Sequence, residues 1–110
     1  MPSPTLPDDL LNPDAYPWRP DRVDLIETHI SWVFLAGDRV VKVKRPVRLD
    51  FVDQSTPEAR RAICEAEVQL NRRLTDGVYL DVASITRNSD GYAVDGDGEA
   101  VEWATLMRRL

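Results

Sequence analysis

The sequence predicts an α+β fold: an antiparallel sheet of five strands with one long helix after the third strand. Three observations predict it. Short runs rich in Val, Ile, Leu and aromatic residues occur in both halves of the chain. A single charged segment between them carries apolar residues at three and four residue spacings. Glycine-bearing pairs separate the runs at hairpin distances.

The elements follow in order. Residues 1–20 hold six of the eight prolines, a density that resists helix and sheet alike, so they read as a lead-in to a domain spanning 21–110. Within the lead-in, residues 8–12 suit one helical turn, and Tyr16 and Trp18 are placed to pin the segment to the body. Residues 23–27, 31–36 and 40–45 form a predicted meander, with Gly37-Asp38 as the turn of its second hairpin. Ser55-Thr-Pro-Glu58 is a helix start, with Ser55 as cap, Pro57 in the first turn and Glu58 returning a hydrogen bond. The helix runs to about Leu74, burying a stripe of Ala62, Ile63, Ala66, Leu70 and Leu74, and Asp76-Gly77 ends it. Strands follow over 79–87, 92–94 and 100–107, parted by turns at 88–91 and 95–98; two or three of these complete the sheet.

Composition narrows the function. At 43% hydrophobic and 30% charged, the 110 residues suit one globular domain. A formal net charge of -5 argues against nucleic acid or anionic membrane as a general partner, because both are held through a basic face. Lys42, Lys44, Arg45 and Arg48 are too few to reverse that balance. No apolar run reaches the ~18 residues of a spanning helix, and the first residues lack a basic and then apolar leader pattern, so the expected location is cytoplasmic. The single Cys64 and single His29 are expected to be packing or turn residues, and no metal site is expected from this chain alone.

Against the acidic balance stands one basic strand, Asp38-Arg-Val-Val-Lys-Val-Lys-Arg-Pro46. Alternation puts Val40, Lys42 and Lys44 on one face and Val41, Val43 and Arg45 on the other. A lysine among valines either guards a sheet edge or needs an anionic partner. The following helix places Glu65 and Glu67 near its middle, and Glu67 borders the expected stripe more closely.

A strand lysine followed by a helix glutamate, within the stretches Glu27-Thr-His-Ile-Ser-Trp-Val-Phe-Leu-Ala-Gly-Asp38, Val-Lys-Val-Lys-Arg-Pro-Val47, Leu49-Asp-Phe, Ser55-Thr and Cys64-Glu-Ala-Glu to Leu-Asn-Arg-Arg-Leu74, resembles the opening of bacterial aminoglycoside-phosphotransferase-like proteins. In that group a kinase-like domain often precedes an ATP-binding P-loop domain. The resemblance implies a protein-kinase-like small lobe that binds ATP with Mg2+ and serves transfer to a small-molecule acceptor. It implies that Lys42, preferred to its competitor Lys44 and paired with Glu67, holds the nucleotide phosphates; Lys44 and Arg45 then read as the solvated end of the strand. Val40 takes the adenine-contacting place, and Met107 leads into the segment that meets the adenine edge. Thr28, His29, Ile30 and Ser31 fill the loop that covers the phosphates, although no glycine stands there. The chain has no His-x-Asp catalytic element, so it reads as a lobe truncated before its catalytic partner, unable to transfer phosphate alone and exposing a face open to self-association. The rival reading is a non-catalytic α+β interaction module that docks a partner through residues 103–110.

Overall fold

A computed structural model describes residues 6–46, 48–49, 52–74, 77–89 and 91–109. The turn at residues 37–38 sets the register of its sheet. Gly37 takes a φ of 66°, and a Cβ there would sit 3.0 Å from Pro20 Cβ, so glycine serves both conformation and space. That turn joins β2 (Ser31–Ala36) to β3 (Arg39–Lys44), with Val33 opposite Lys42 and Ser31 opposite Lys44. The strand β1 (Val23–Glu27) pairs outside β2. After β3, the two-residue strands β4 (Arg48–Leu49) and β5 (Val52–Asp53) make a small ladder of their own, and the helix Pro57–Leu74 follows.

The chain then returns through β6 (Tyr79–Asn88), β7 (Gly91–Val94) and β8 (Glu99–Arg108), giving one antiparallel sheet in the order β1-β2-β3-β8-β6-β7. The α+β class is compatible with this, but the five-stranded protein-kinase-like small lobe is not: the main sheet has six strands. The sixth arises because residues 91–94 form a full edge strand on β6, with Tyr92 and Val94 buried in the core. Asp90, part of the turn expected there, lies outside the described residues, as do Asp76 and Leu110.

One face of the sheet is apolar. Phe34, Val41, Val43, Ala83, Ile85, Ala104 and Leu106 cluster with Tyr92 and Val94, and are joined by Leu6, Leu10, Ala15 and Tyr16 of the proline-rich segment. That segment is therefore part of the core. It contains a four-residue helical turn, Leu6–Asp9, and a 3-10 turn, Pro13–Ala15, capped by the Asn12 side chain. Tyr16 donates its hydroxyl to the Leu10 carbonyl at 2.6 Å, Trp18 donates its indole N–H to the Ala36 carbonyl at 3.0 Å, and Asp9 accepts from the Tyr92 amide at 3.1 Å. Burial raises the Tyr16 phenol above its ordinary value.

The opposite face carries Lys42, Lys44 and Thr105, and the helix lies across its β8 and β6 side. This polar floor changes which stripe the helix buries. Cys64 and Val68 are buried, with Ile63, Glu67 and Asn71 half-buried beside them, whereas Ala62 and Ala66 are exposed and Leu70 is 58% exposed. The expected stripe is thus rotated toward a face that accepts a thiol and a carboxylate. The side chain of Leu74 lies outside the described residues. The cap differs by one residue: Thr56 Oγ1 accepts from the Ala59 amide at 3.1 Å, which places Pro57 first in the helix.

Candidate functional site

Strand β3 delivers Lys42 and Lys44 to the helix face because alternation sends Val41 and Val43 into the core. Both lysines converge on Glu67. Lys42 Nζ forms an ion pair 3.0 Å from Oε1, and Lys44 donates to Oε2 at 3.1 Å. Their exposures differ: the Lys44 side chain is 5% exposed, against 22% for Lys42 and 20% for Glu67. Lys44 is therefore a buried member of the group, not the solvated end of the strand. Glu65 points away, 57% exposed, and reaches Arg61 at 3.8 Å.

Burial alone raises the Glu67 carboxyl, but Lys44 and then Lys42 outweigh it, holding the group below its ordinary value of 4.5. Two ammonium groups share one carboxylate, so the cluster keeps a net positive charge. Against it lies Cys64, whose thiol is pushed up by burial while the hydrogen bond with Thr105 and the nearby Lys44 charge pull it down. The Thr105 hydroxyl is buried and finds no nitrogen or oxygen partner among the described residues.

Beside the lysines the same face is apolar and open. Val33 stands opposite Lys42, Ile26 opposite Val33, and both Leu35 and Met107 opposite Val40. Val33, Leu35, Val40 and Met107 are half-buried and Ile26 is exposed. The structure thus brings Lys42, Glu67, Val40 and Met107 onto one face and adds Ile26 and Val33 to them. Strand alternation carries the signal for these two.

The loop residues behave differently. The amides of Ser31 and Ile30 donate to Thr28 Oγ1 at 3.0 and 3.3 Å, and the Thr28 amide donates to the Ser31 carbonyl at 2.9 Å. These donors are turned inward and spent within the turn. Arg45 holds the Thr28 carbonyl at 2.9 Å and Gln54 holds the Ile30 carbonyl at 3.0 Å. His29 is exposed and lines a cavity of about 270 Å3 with Glu27, Thr28 and Arg45, at the Lys44 end of the strand.

A second polar group fixes the helix. Arg60 grips Glu102 of β8 through contacts of 2.9 Å to both carboxylate oxygens and donates to the Gln54 carbonyl at 2.7 Å, with both charged side chains 1% exposed. Sequence reasoning missed Glu102, because its partner lies 42 residues away and no local spacing links them. It also missed a compositional signal. Lys42 and Lys44 are the only lysines of the chain, and every other strongly basic side chain is an arginine. Lysine therefore stands only where a compact ammonium faces Glu67.

Among the described residues no group of three or more His, Cys, Asp or Glu side chains could hold a metal ion. A cavity of about 420 Å3 at the lead-in is lined by Asp8, Asp9, Asn12 and Asp14 and shares no residue with the lysine cluster.

The chain is 43% identical over 81 residues to uncharacterized proteins of Mycobacterium bovis and Mycobacterium tuberculosis, a match covering 73% of this chain and 16% of each relative. It therefore spans about one sixth of the length of these relatives. No family model matches the chain. No solved structure matches it.

Proposed function

We propose that this chain is the nucleotide-binding part of an ATP-dependent phosphotransferase resembling the aminoglycoside-phosphotransferase-like proteins, acting in the cytoplasm on a small-molecule acceptor. The observation that carries the reading is the pair of lysines on Glu67 at the border of an open apolar face. A nucleotide has the complementary shape: a flat apolar base and a polyanionic tail. Its base lies on Val33, Val40 and Met107, and its phosphates meet Lys42, whose charge Glu67 orients. The amides of residues 30 and 31 donate within their own turn, so in this reading the phosphates are held by side-chain charge. Among the described residues no group of three or more His, Cys, Asp or Glu side chains is placed to hold Mg2+. Lacking a His-x-Asp element, the 110 residues bind without transferring phosphate.

Calorimetric titration with ATP, tripolyphosphate and adenosine separates the two halves of this site. Saturable ATP binding, lost in Lys42→Ala and weaker for each half-ligand, is the expected result. Equal heats for wild type and Lys42→Ala, or no ATP binding, would overturn the reading and favour the interaction module.

A further inference from the structure

Two lysines on one carboxylate pose a question of roles, and their geometries differ. Lys44 is nearly sequestered and makes the aligned 3.1 Å hydrogen bond to Oε2. Its ammonium lies in a buried setting with Cys64 and Thr105 nearby, where an unpaired charge is costly. Lys42 is four times as exposed and lies 3.0 Å from Oε1. It stands on the open strip beside Val33 and Val40.

We propose that Lys44 is a positioning residue that permanently holds Glu67, and that Lys42, with only a share of that carboxylate, is the lysine that passes to a polyphosphate. The division follows from charge. With one lysine and one glutamate the cluster is neutral, and an arriving anion must break the pair to be bound. With Lys44 satisfying Glu67, the second ammonium is in surplus, so a polyphosphate is drawn to it and Glu67 keeps a partner when Lys42 leaves. The phosphate half of this inference rests on the proposed nucleotide reading. The division of roles between the lysines does not.

Because these are the only side-chain amines, their labelling can be read without interference. The test uses an amine-acylating reagent with peptide mass spectrometry on wild type and Lys44→Met, a neutral side chain of similar length. In wild type, Lys42 labels at least several times faster than Lys44. In Lys44→Met, Lys42 labels several times more slowly than in wild type, because Glu67 is now its alone, while tripolyphosphate affinity falls about tenfold, because the anion must now break the Lys42 and Glu67 pair to bind. Simple loss of fold moves the labelling the other way, since an unfolded Lys42 labels faster. A circular dichroism melt and the conservative Lys44→Arg variant, which should restore part of the affinity, keep the two apart. Equal labelling of both lysines in wild type, or unchanged Lys42 labelling in folded Lys44→Met, overturns the proposal. Absent tripolyphosphate binding in wild type with the expected labelling pattern overturns the nucleotide reading and leaves the division of roles standing.

Discussion

Glu67 is the residue on which the site turns, since among the described residues it is the carboxylate that pairs with both Lys42 and Lys44. Replacing it with Gln leaves a nearly buried Lys44 without its anion, and unfolding in urea should show a loss of about 1 to 3 kcal/mol. The sign of the pH effect follows from the lowered carboxyl. A group held below its ordinary value stabilises the fold above that value, and this contribution disappears as the pH falls through 4.5 and below. Wild type should therefore lose stability along that acid limb, and Glu67→Gln should lose measurably less; parallel curves contradict the account. Cys64 acts at the other end of the scale. Its raised thiol favours the folded form until the pH climbs past the ordinary thiol value, so Cys64→Ala should flatten the alkaline limb of the same curve. The candidate pair was legible in the sequence as a lysine strand and an acidic helix. The second lysine was misread, because alternation places a side chain on a face without saying what covers that face.

At the scale of elements, the helix depends on its cap and on one buried ion pair. Thr56→Ala removes the acceptor of the Ala59 amide and should cost about 1 kcal/mol. Breaking the Arg60 and Glu102 pair from one side, as Arg60→Met, strands a buried carboxylate and should cost about 3 to 5 kcal/mol, whereas adding Glu102→Leu should recover much of that loss. If single and double variants unfold at the same denaturant concentration, the pair does not fix the helix. The strands were readable because β1, β2 and β3 are short runs rich in β-branched and aromatic residues and Gly37 marks the turn between β2 and β3. The helix was readable in extent but not in phase. Apolar spacing assumes an apolar floor, and this helix rests on Lys42, Lys44 and Thr105, so Cys64 and Val68 are buried and Leu70 is left outside. Leu70→Gln should accordingly change stability by no more than about 0.5 kcal/mol in the same unfolding assay. The strand β7 falls on the predicted run 92–94, but so short a run carries too little periodicity to count it as a full member of the sheet, which left the expected total at five.

Over the whole molecule, the two faces of the sheet divide structure from chemistry. The lead-in and the core residues of one face close a hydrophobic interior. The other face is shared between the helix, held over β8 and β6, and an open strip from Ile26 to Met107 that borders the lysines. That strip gives a location to the central claim that a nucleotide binds here with its base on valines and its phosphates on Lys42. Amide NMR spectra of the uniformly labelled 110-residue chain, recorded while ATP is added, test it most directly. The account predicts saturable shifts concentrated at Val33, Val40, Lys42, Glu67 and Met107, with little change at the acidic lead-in. Shifts centred on Asp8 to Asp14 or on the exposed helix face around Leu70, or an unperturbed spectrum at saturating ATP, would contradict it.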